Sequence, residues 1–215
     1  MADTVKLLLV GATGLVGSHV LEGALADARV RAVVAPTRRT LHGHPKLSAP
    51  LVDFDRLPEQ AGWWRADAVI CTLGTTMRRA GSRDAFHRVD HDYPLAVARL
   101  AHAHATPTYV LNSAIGADAG SRFFYNRVKG ELERALAAEG FDSLSFVRPG
   151  LIGGEREEVR RGERMAALAL GWTGSLLPRR WRINPAPRIA AALLAAAIDP
   201  QPGIHVVESG RLTDH

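Results

Sequence analysis

Three side chains invite a chemical reading first. Ser113 follows the apolar run Tyr109–Leu111; Tyr125 comes twelve residues later and Lys129 four after that. Positions i and i+4 of a helix share a face, so a helix through 122–139 sets the phenol beside the amine. A phenol with an ordinary pKa near 10 exchanges its proton poorly at neutral pH. A neighbouring ammonium stabilises the phenolate and is expected to bring that pKa down toward the working range. In this reading Ser113 orients the oxygen of a small-molecule carbonyl or alcohol, Tyr125 handles the proton on it, and Lys129 tunes the phenol. A Tyr125 that merely packs beside the stem of a snorkelling Lys129 would give the same spacing.

A second stretch suggests what would stand opposite that trio. The run Leu7-Leu-Leu-Val enters three glycines, Gly11, Gly14 and Gly17, and then a helical pattern. A strand, a tight glycine turn and a helix N-terminus make an anion site suited to a pyrophosphate. The dinucleotide fingerprint is usually G-x-G-x-x-G. Here it is G-x-x-G-x-x-G, so Ala12 and Thr13 follow the turn without glycine's freedom. The next strand, Val30–Ala35, ends in Pro36-Thr-Arg-Arg39, where an NAD site usually carries an acid for the ribose 2′-hydroxyl. The guanidinium groups of Arg38 and Arg39 suit a 2′-phosphate instead, which favours NADP(H) over NAD(H); two solvated loop arginines are the alternative. Asp53 either accepts a hydrogen bond from an adenine amino group or caps its own loop.

The elements that must position these groups alternate along the chain. Strand-like runs at Val5–Val10, Val30–Ala35, Leu51–Val52, Ala68–Cys71, Thr108–Leu111 and Leu144–Val147 are separated by helical patterns at Leu15–Ala26, Ser82–Ala105 and Arg122–Glu139. Such alternation predicts an α/β fold, a Rossmann-type doubly wound parallel sheet covered on both faces. The expected organisation is a single NAD(P)-binding domain over 1–215. Its core spans about 4–150, and 151–215 form a small extension on the substrate side. That extension reads as a charged stretch (153–164), a helical run at Met165–Leu170, a Pro- and Trp-bearing loop (171–187), a helix at Arg188–Ile198 and a strand at Ile204–Val207.

Together these motifs carry a resemblance. Gly11-Ala-Thr-Gly-Leu-Val-Gly17, Ser113 and Tyr125-x-x-x-Lys129 resemble the short-chain dehydrogenase/reductase superfamily in its atypical or extended branch. Asn112-Ser-Ala-Ile-Gly-Ala-Asp118, Phe123–Glu133 and Val147-Arg-Pro-Gly-Leu-Ile-Gly-Gly154 look more particularly like the NAD(P)H-binding oxidoreductases related to the Tat-interacting protein. The resemblance implies that Gly11, Thr13, Gly14, Leu15 and Val16 line the pyrophosphate turn and that Arg38 meets the 2′-phosphate. Asp53 with Phe54 would meet the adenine, and Leu73 and Gly74 would line the inner cofactor wall. Lys129 would also bind the nicotinamide ribose, and Pro149, Gly150, Leu151 and Ile152 would wrap the nicotinamide. One departure is Asp90, where many members of the superfamily carry Asn; it weakens any borrowed proton relay. Several relatives have no known substrate, so a non-catalytic NADPH-binding regulator or scaffold stands beside the oxidoreductase reading.

Composition narrows the remaining choices. Hydrophobic residues make up 47% of the 215 and charged residues 23%, an ordinary balance for a globular chain. The formal charge of +5 is spread along the chain and interleaved with acids, so nucleic acid is not an expected partner. No apolar run is long enough for a membrane span. The lone Cys71 excludes an internal disulfide and suggests a reducing compartment, read as the cytoplasm. His87 and His91 share a helix face but show no third metal ligand, so no metal is expected. Arg179-Arg-Trp-Arg182 is the one basic–aromatic cluster. A small-molecule substrate and a monomer or homodimer complete the expectation.

Overall fold

The computed structural model describes residues 4–153 and 183–213. Seven strands form one sheet: β1 (Val5–Val10), β2 (Val30–Val34), β3 (Leu47–Ser48), β4 (Ala68–Cys71), β5 (Thr108–Asn112), β6 (Ser143–Arg148) and β9 (Gly203–Glu208). Their spatial order is β3-β2-β1-β4-β5-β6-β9, and every pairing is parallel. The order reverses between β1 and β4. In open α/β sheets that reversal leaves a crevice at the carboxyl ends of the strands, where ligands bind.

Period-two alternation explains why the strands read as unbroken apolar runs. Leu7 and Leu9 of β1 belong to a core shared with Val16 and Val20 of helix α1 (Leu15–Ala26) and with Ile189 and Leu193 of α6 (Ala186–Ile198). Leu8 and Val10 point the other way. They join Leu95 and Ala98 of α4 (Tyr93–Ala103) and Leu132 and Leu136 of α5 (Phe124–Ala137). Both faces are covered, so both sets of positions must be apolar.

Three expectations change. The third strand lies at Leu47–Ser48 rather than at 51–52: Val33 and Ala35 donate backbone hydrogen bonds to Lys46 and Ser48, while Leu51 makes only an isolated bridge to Thr37. The long helix expected over 82–105 is broken. After a short α2 (Met77–Ala80), α3 (Arg83–His87) widens into a π turn at Arg88–Asp92 before α4 begins. Pro94 supplies the reason. It has no N–H for the carbonyl of Asp90, its ring crowds that carbonyl, and Tyr93 bonds back five residues to Arg88 instead. Finally, part of the expected extension belongs to the layered core, because α6 packs on α1 and β9 completes the sheet beside β6.

A further small parallel pair joins β7 (Ile152–Gly153) to β8 (Asn184–Pro185). The run Met165–Leu170, most of the charged stretch, the loop up to 182 and the Arg179–Arg182 cluster lie outside the described residues. Among the described residues, no helix is long and apolar enough to cross a membrane.

Candidate active site

Gly11 sits at φ +91°, the left-handed region that glycine alone enters freely, and its carbonyl accepts a hydrogen bond from Gly14 N at 2.9 Å. Gly14 caps α1 with no side chain to satisfy the first N–H groups, and no acidic residue occupies the first turn. The positive end of the helix therefore carries no acidic side chain of its own first turn. Gly17 is pressed against the turn: a Cβ there would lie 2.1 Å from Gly11 O and 2.6 Å from Thr72 Oγ1. Thr13 is exposed and Leu15 half-buried, whereas the side chain of Val16 is in the core, leaving only its backbone to face the turn.

The next strand ends place the outer residues. Arg38 and Arg39 are exposed beyond β2, and neither guanidinium forms an ion pair among the described residues. Asp53 is exposed and its Oδ1 accepts from Asp55 N at 3.0 Å, so it closes its own loop. Phe54 is buried against Tyr93, with ring centroids 5.7 Å apart, and Tyr93 in turn donates to Asp55 Oδ1 at 2.8 Å. Leu73 and Gly74 follow β4 into the crevice. A Cβ on Gly74 would make ordinary contact with Asp90 Oδ1 at 3.4 Å and Lys129 Nζ at 4.0 Å, so the exposed Gly74 lies directly over the pair.

Lys129 and Asp90 are the electrostatic centre of the site. Lys129 Nζ lies 2.8 Å from Asp90 Oδ1, with the two side chains 3% and 1% exposed. The other Asp90 oxygen accepts from Thr75 N at 2.7 Å. Burial alone lowers the ammonium's pKa, but Asp90, helped by Tyr125, more than reverses this, and the net direction is upward. Tyr125 stands one helical turn before Lys129, and its phenol is also held above the ordinary value. Desolvation leads, Lys129 opposes it, and Asp90 adds to it. The expected lowering of that pKa is thus not found. Desolvation outweighs the pull of Lys129, which Asp90 in turn partly offsets.

Ser113 is buried at the end of β5, and its hydroxyl donates to Glu133 Oε1 at 2.5 Å. Glu133 is held by Arg148 of β6, through Nε at 3.0 Å and Nη2 at 2.5 Å, and Arg148 reaches on to Glu208 of β9. The serine proton is thereby committed inward, and what Oγ keeps for a ligand is acceptor capacity. Pro149 is buried and its carbonyl accepts from Ile115 N at 2.8 Å. Gly150 N donates to Asn184 Oδ1 at 2.6 Å, Asn184 N donates to Leu151 O, and the fully buried amide of Asn184 also donates to Ser209 O. Leu151 and Ile152 are exposed.

Sequence reasoning missed Glu133, Arg148 and Asn184 and saw in Asp90 only a departure. Glu133, four residues beyond Lys129 on the same helix face, was the one readable signal. The fold also brings Asp92 beside His87 and His91, a third donor, an oxygen, that their i, i+4 spacing does not supply.

A doubly wound parallel sheet with a glycine turn after β1 and a Tyr–Lys pair on α5 defines a Rossmann-type scaffold of the atypical short-chain dehydrogenase/reductase kind. Among curated proteins, the mitochondrial protein fmp52 of Emericella nidulans is 37% identical over 189 residues, covering 82% of this chain and 80% of that one. HTATIP2 of Rattus norvegicus is 35% identical over 206 residues, covering 92% and 83%. The chain belongs to the family of HTATIP2 and the Fmp52 proteins. No protein-family model matches it. Among solved structures, the enzyme WbmH of Bordetella bronchiseptica, in complex with NAD+, superposes with a TM-score of 0.69 at 14% identity, covering 94% of this chain and 75% of that one, a likeness of fold.

The cytoplasmic placement is overturned by these relatives, several of which are named as mitochondrial. A single buried cysteine excludes an internal disulfide wherever the chain resides, so it could not distinguish one reducing compartment from another.

Proposed function

We propose that the chain is an NADP(H)-dependent oxidoreductase that moves a hydride between the cofactor and a carbonyl or alcohol carbon of a small molecule. The observation that carries this reading is the buried Lys129–Asp90 pair beneath the exposed Gly74, one helical turn from Tyr125. The residues fit a dinucleotide: the cradle of Gly11, Gly14 and Gly17 is one that a Cβ would fill, and the helix end above it is uncapped. When bound, the nicotinamide supplies or accepts the hydride. The backbone of residues 11–16 would hold the pyrophosphate, Arg38 and Arg39 the 2′-phosphate, Phe54 and Asp53 the adenine side, Leu73 and Gly74 the inner wall, and Pro149–Ile152 the nicotinamide end.

Tyr125, protonated at neutral pH, gives its proton to the oxygen of a carbonyl being reduced, and as phenolate takes it from an alcohol. Lys129, fixed by Asp90, holds the cofactor's ribose side and steadies the phenolate once it forms. Ser113, whose own proton goes to Glu133, would offer a substrate only an acceptor, and the proton on the reacting oxygen is left to Tyr125. The sign of the pH dependence follows from the raised phenol pKa. Carbonyl reduction needs the protonated phenol and stays flat from pH 6 to about 9, whereas alcohol oxidation climbs through that range. Parallel profiles in both directions would remove Tyr125 from the proton's path.

Titration with NADPH and NADH, followed by NADPH oxidation against a carbonyl panel, tests the reading. Tyr125→Phe is expected to lower kcat about 100- to 10,000-fold with NADPH affinity retained. Absence of NADPH binding would overturn it. Arg38→Ala is expected to weaken NADPH by about tenfold or more and to leave NADH nearly unchanged, since it removes a charge-assisted contact that only the 2′-phosphate makes. Equal losses would refute the NADP(H) preference. One observation favours a second reading, a non-catalytic NADPH-binding regulator: the Ser113 proton is already given to Glu133. NADPH binding without turnover, indifferent to Tyr125→Phe, would decide for it.

A further inference from the structure

The geometry points to a divalent metal site outside the cofactor crevice, formed by His87, His91 and Asp92, and we propose that it takes Zn2+. The π turn stacks the two imidazoles with ring centroids 4.4 Å apart and brings both to one carboxylate. Asp92 Oδ1 lies 3.2 Å from His87 Nδ1 and 2.8 Å from His91 Nδ1, and one donor atom from each residue falls within 4.8 Å of the others. A tetrahedral Zn2+ with ligands at about 2.0–2.2 Å sets its donors about 3.3–3.5 Å apart. The first spacing falls about 0.1 Å short of that range. The second needs the Asp92 carboxylate, 53% exposed, to withdraw by about half an ångström to admit the ion.

The surroundings suit the same ion. Two imidazoles and a carboxylate make a borderline nitrogen–oxygen donor set, better matched to Zn2+ than to Mg2+ or Ca2+. Three protein ligands leave a fourth position for water. Glu131 Oε2 of α5 lies 3.9 Å from His87 Nε2, on the side of the ring away from Asp92. A small movement makes it the carboxylate that receives the second ring N–H of a metal-bound histidine and fixes its tautomer. Arg127, 4.0 Å from the other Glu131 oxygen, offsets part of the negative charge.

The turn that carries these ligands outward carries Asp90 inward to Lys129. Zn2+ would thus tie α3, the π turn and, through Glu131, α5 together behind the crevice. This inference does not depend on the proposed oxidoreductase activity, and its test reads metal and stability rather than turnover.

The full chain, freed of metal with a chelator, is titrated with Zn2+ by calorimetry and with Co2+ as an optical probe. One equivalent of Zn2+ is expected to bind, to displace the Co2+ d–d bands and to raise the unfolding temperature by several degrees. His87→Ala and His91→Ala are each expected to weaken Zn2+ by at least about tenfold and to abolish the thermal shift, while His205→Ala on the far sheet edge leaves both intact. Should an alanine variant fail to fold, His87→Gln or His91→Gln replaces it, keeping bulk without a basic nitrogen. Unchanged affinity in either histidine variant, or no binding tighter than about 100 µM in the parent chain, would overturn the assignment.

Discussion

Asp90→Ala is expected to destabilise the folded chain by about 3–5 kcal/mol at neutral pH, because it leaves the Lys129 ammonium buried without its counter-charge. It also orphans Thr75 N, which donates to the second Asp90 oxygen. Asp90→Asn keeps one acceptor oxygen, which can serve Thr75 N or Lys129 Nζ but not both, so its cost should fall between parent and alanine. Urea denaturation followed across pH distinguishes this cause from general disruption. In the parent, the folded pKa of Lys129 lies above its ordinary value, so the pair's contribution is fully present below about 10.5 and is lost only as pH rises through the folded value. In the alanine variant the strongest influence holding the amine charged is gone, burial outweighs what Tyr125 still supplies, the folded pKa drops below the ordinary value, and the sign reverses. The deficit of Asp90→Ala should therefore shrink between pH 7 and pH 10. A deficit independent of pH would show that Asp90 is not what keeps Lys129 charged.

Gly17→Ala carries the second large effect. The added Cβ would meet Gly11 O at 2.1 Å and Thr72 Oγ1 at 2.6 Å, and the first of these is backbone that cannot swing aside. The start of α1 must then lift from the turn after β1. Overpacking of this kind costs about 1–3 kcal/mol or more, and the displaced N–H groups should weaken NADPH by at least tenfold. Gly23→Ala is the control on the same helix. Its Cβ meets only the tip of the Leu194 side chain at 3.3 Å, and alanine adds about 1 kcal/mol of helix propensity that offsets the contact. Equal effects at 17 and 23 would mean that the loss comes from helix chemistry rather than from the cradle.

What could be read from the chain follows the distance over which each feature is determined. The glycine turn and the Tyr125–Lys129 pair are local: their spacing within one turn or one helix fixes their geometry, and the structure places them on the expected elements. The alternation of apolar strands and helices sufficed for the parallel sheet, because both faces are buried. The partner of Lys129 was not readable in this way. Asp90 is 39 residues upstream, and it turns inward through a widened turn whose only local signal is Pro94. The Ser113–Glu133–Arg148 chain likewise joins two strands and a helix, so no single periodicity announces it. The displaced third strand shows the same limit at short range. Residues 46–48 and 50–52 both reach the β2 segment through backbone bonds, and only the register of Val33 and Ala35 chooses between them.

Asn184 has a consequence for how the chain is made. The loop at 149–151 owes two of its hydrogen bonds to a residue more than thirty positions later, and that residue is itself anchored by Ser209. On the ribosome, β1 to β6 emerge and can pair while this loop still lacks its brace and β6 its outer neighbour. The glycine cradle waits on the same late segment, because α6 is the helix that covers α1 and the β1 face beneath it. Under the proposed function, both ends of the dinucleotide site would thus be completed together, once residues 184–209 have left the ribosome.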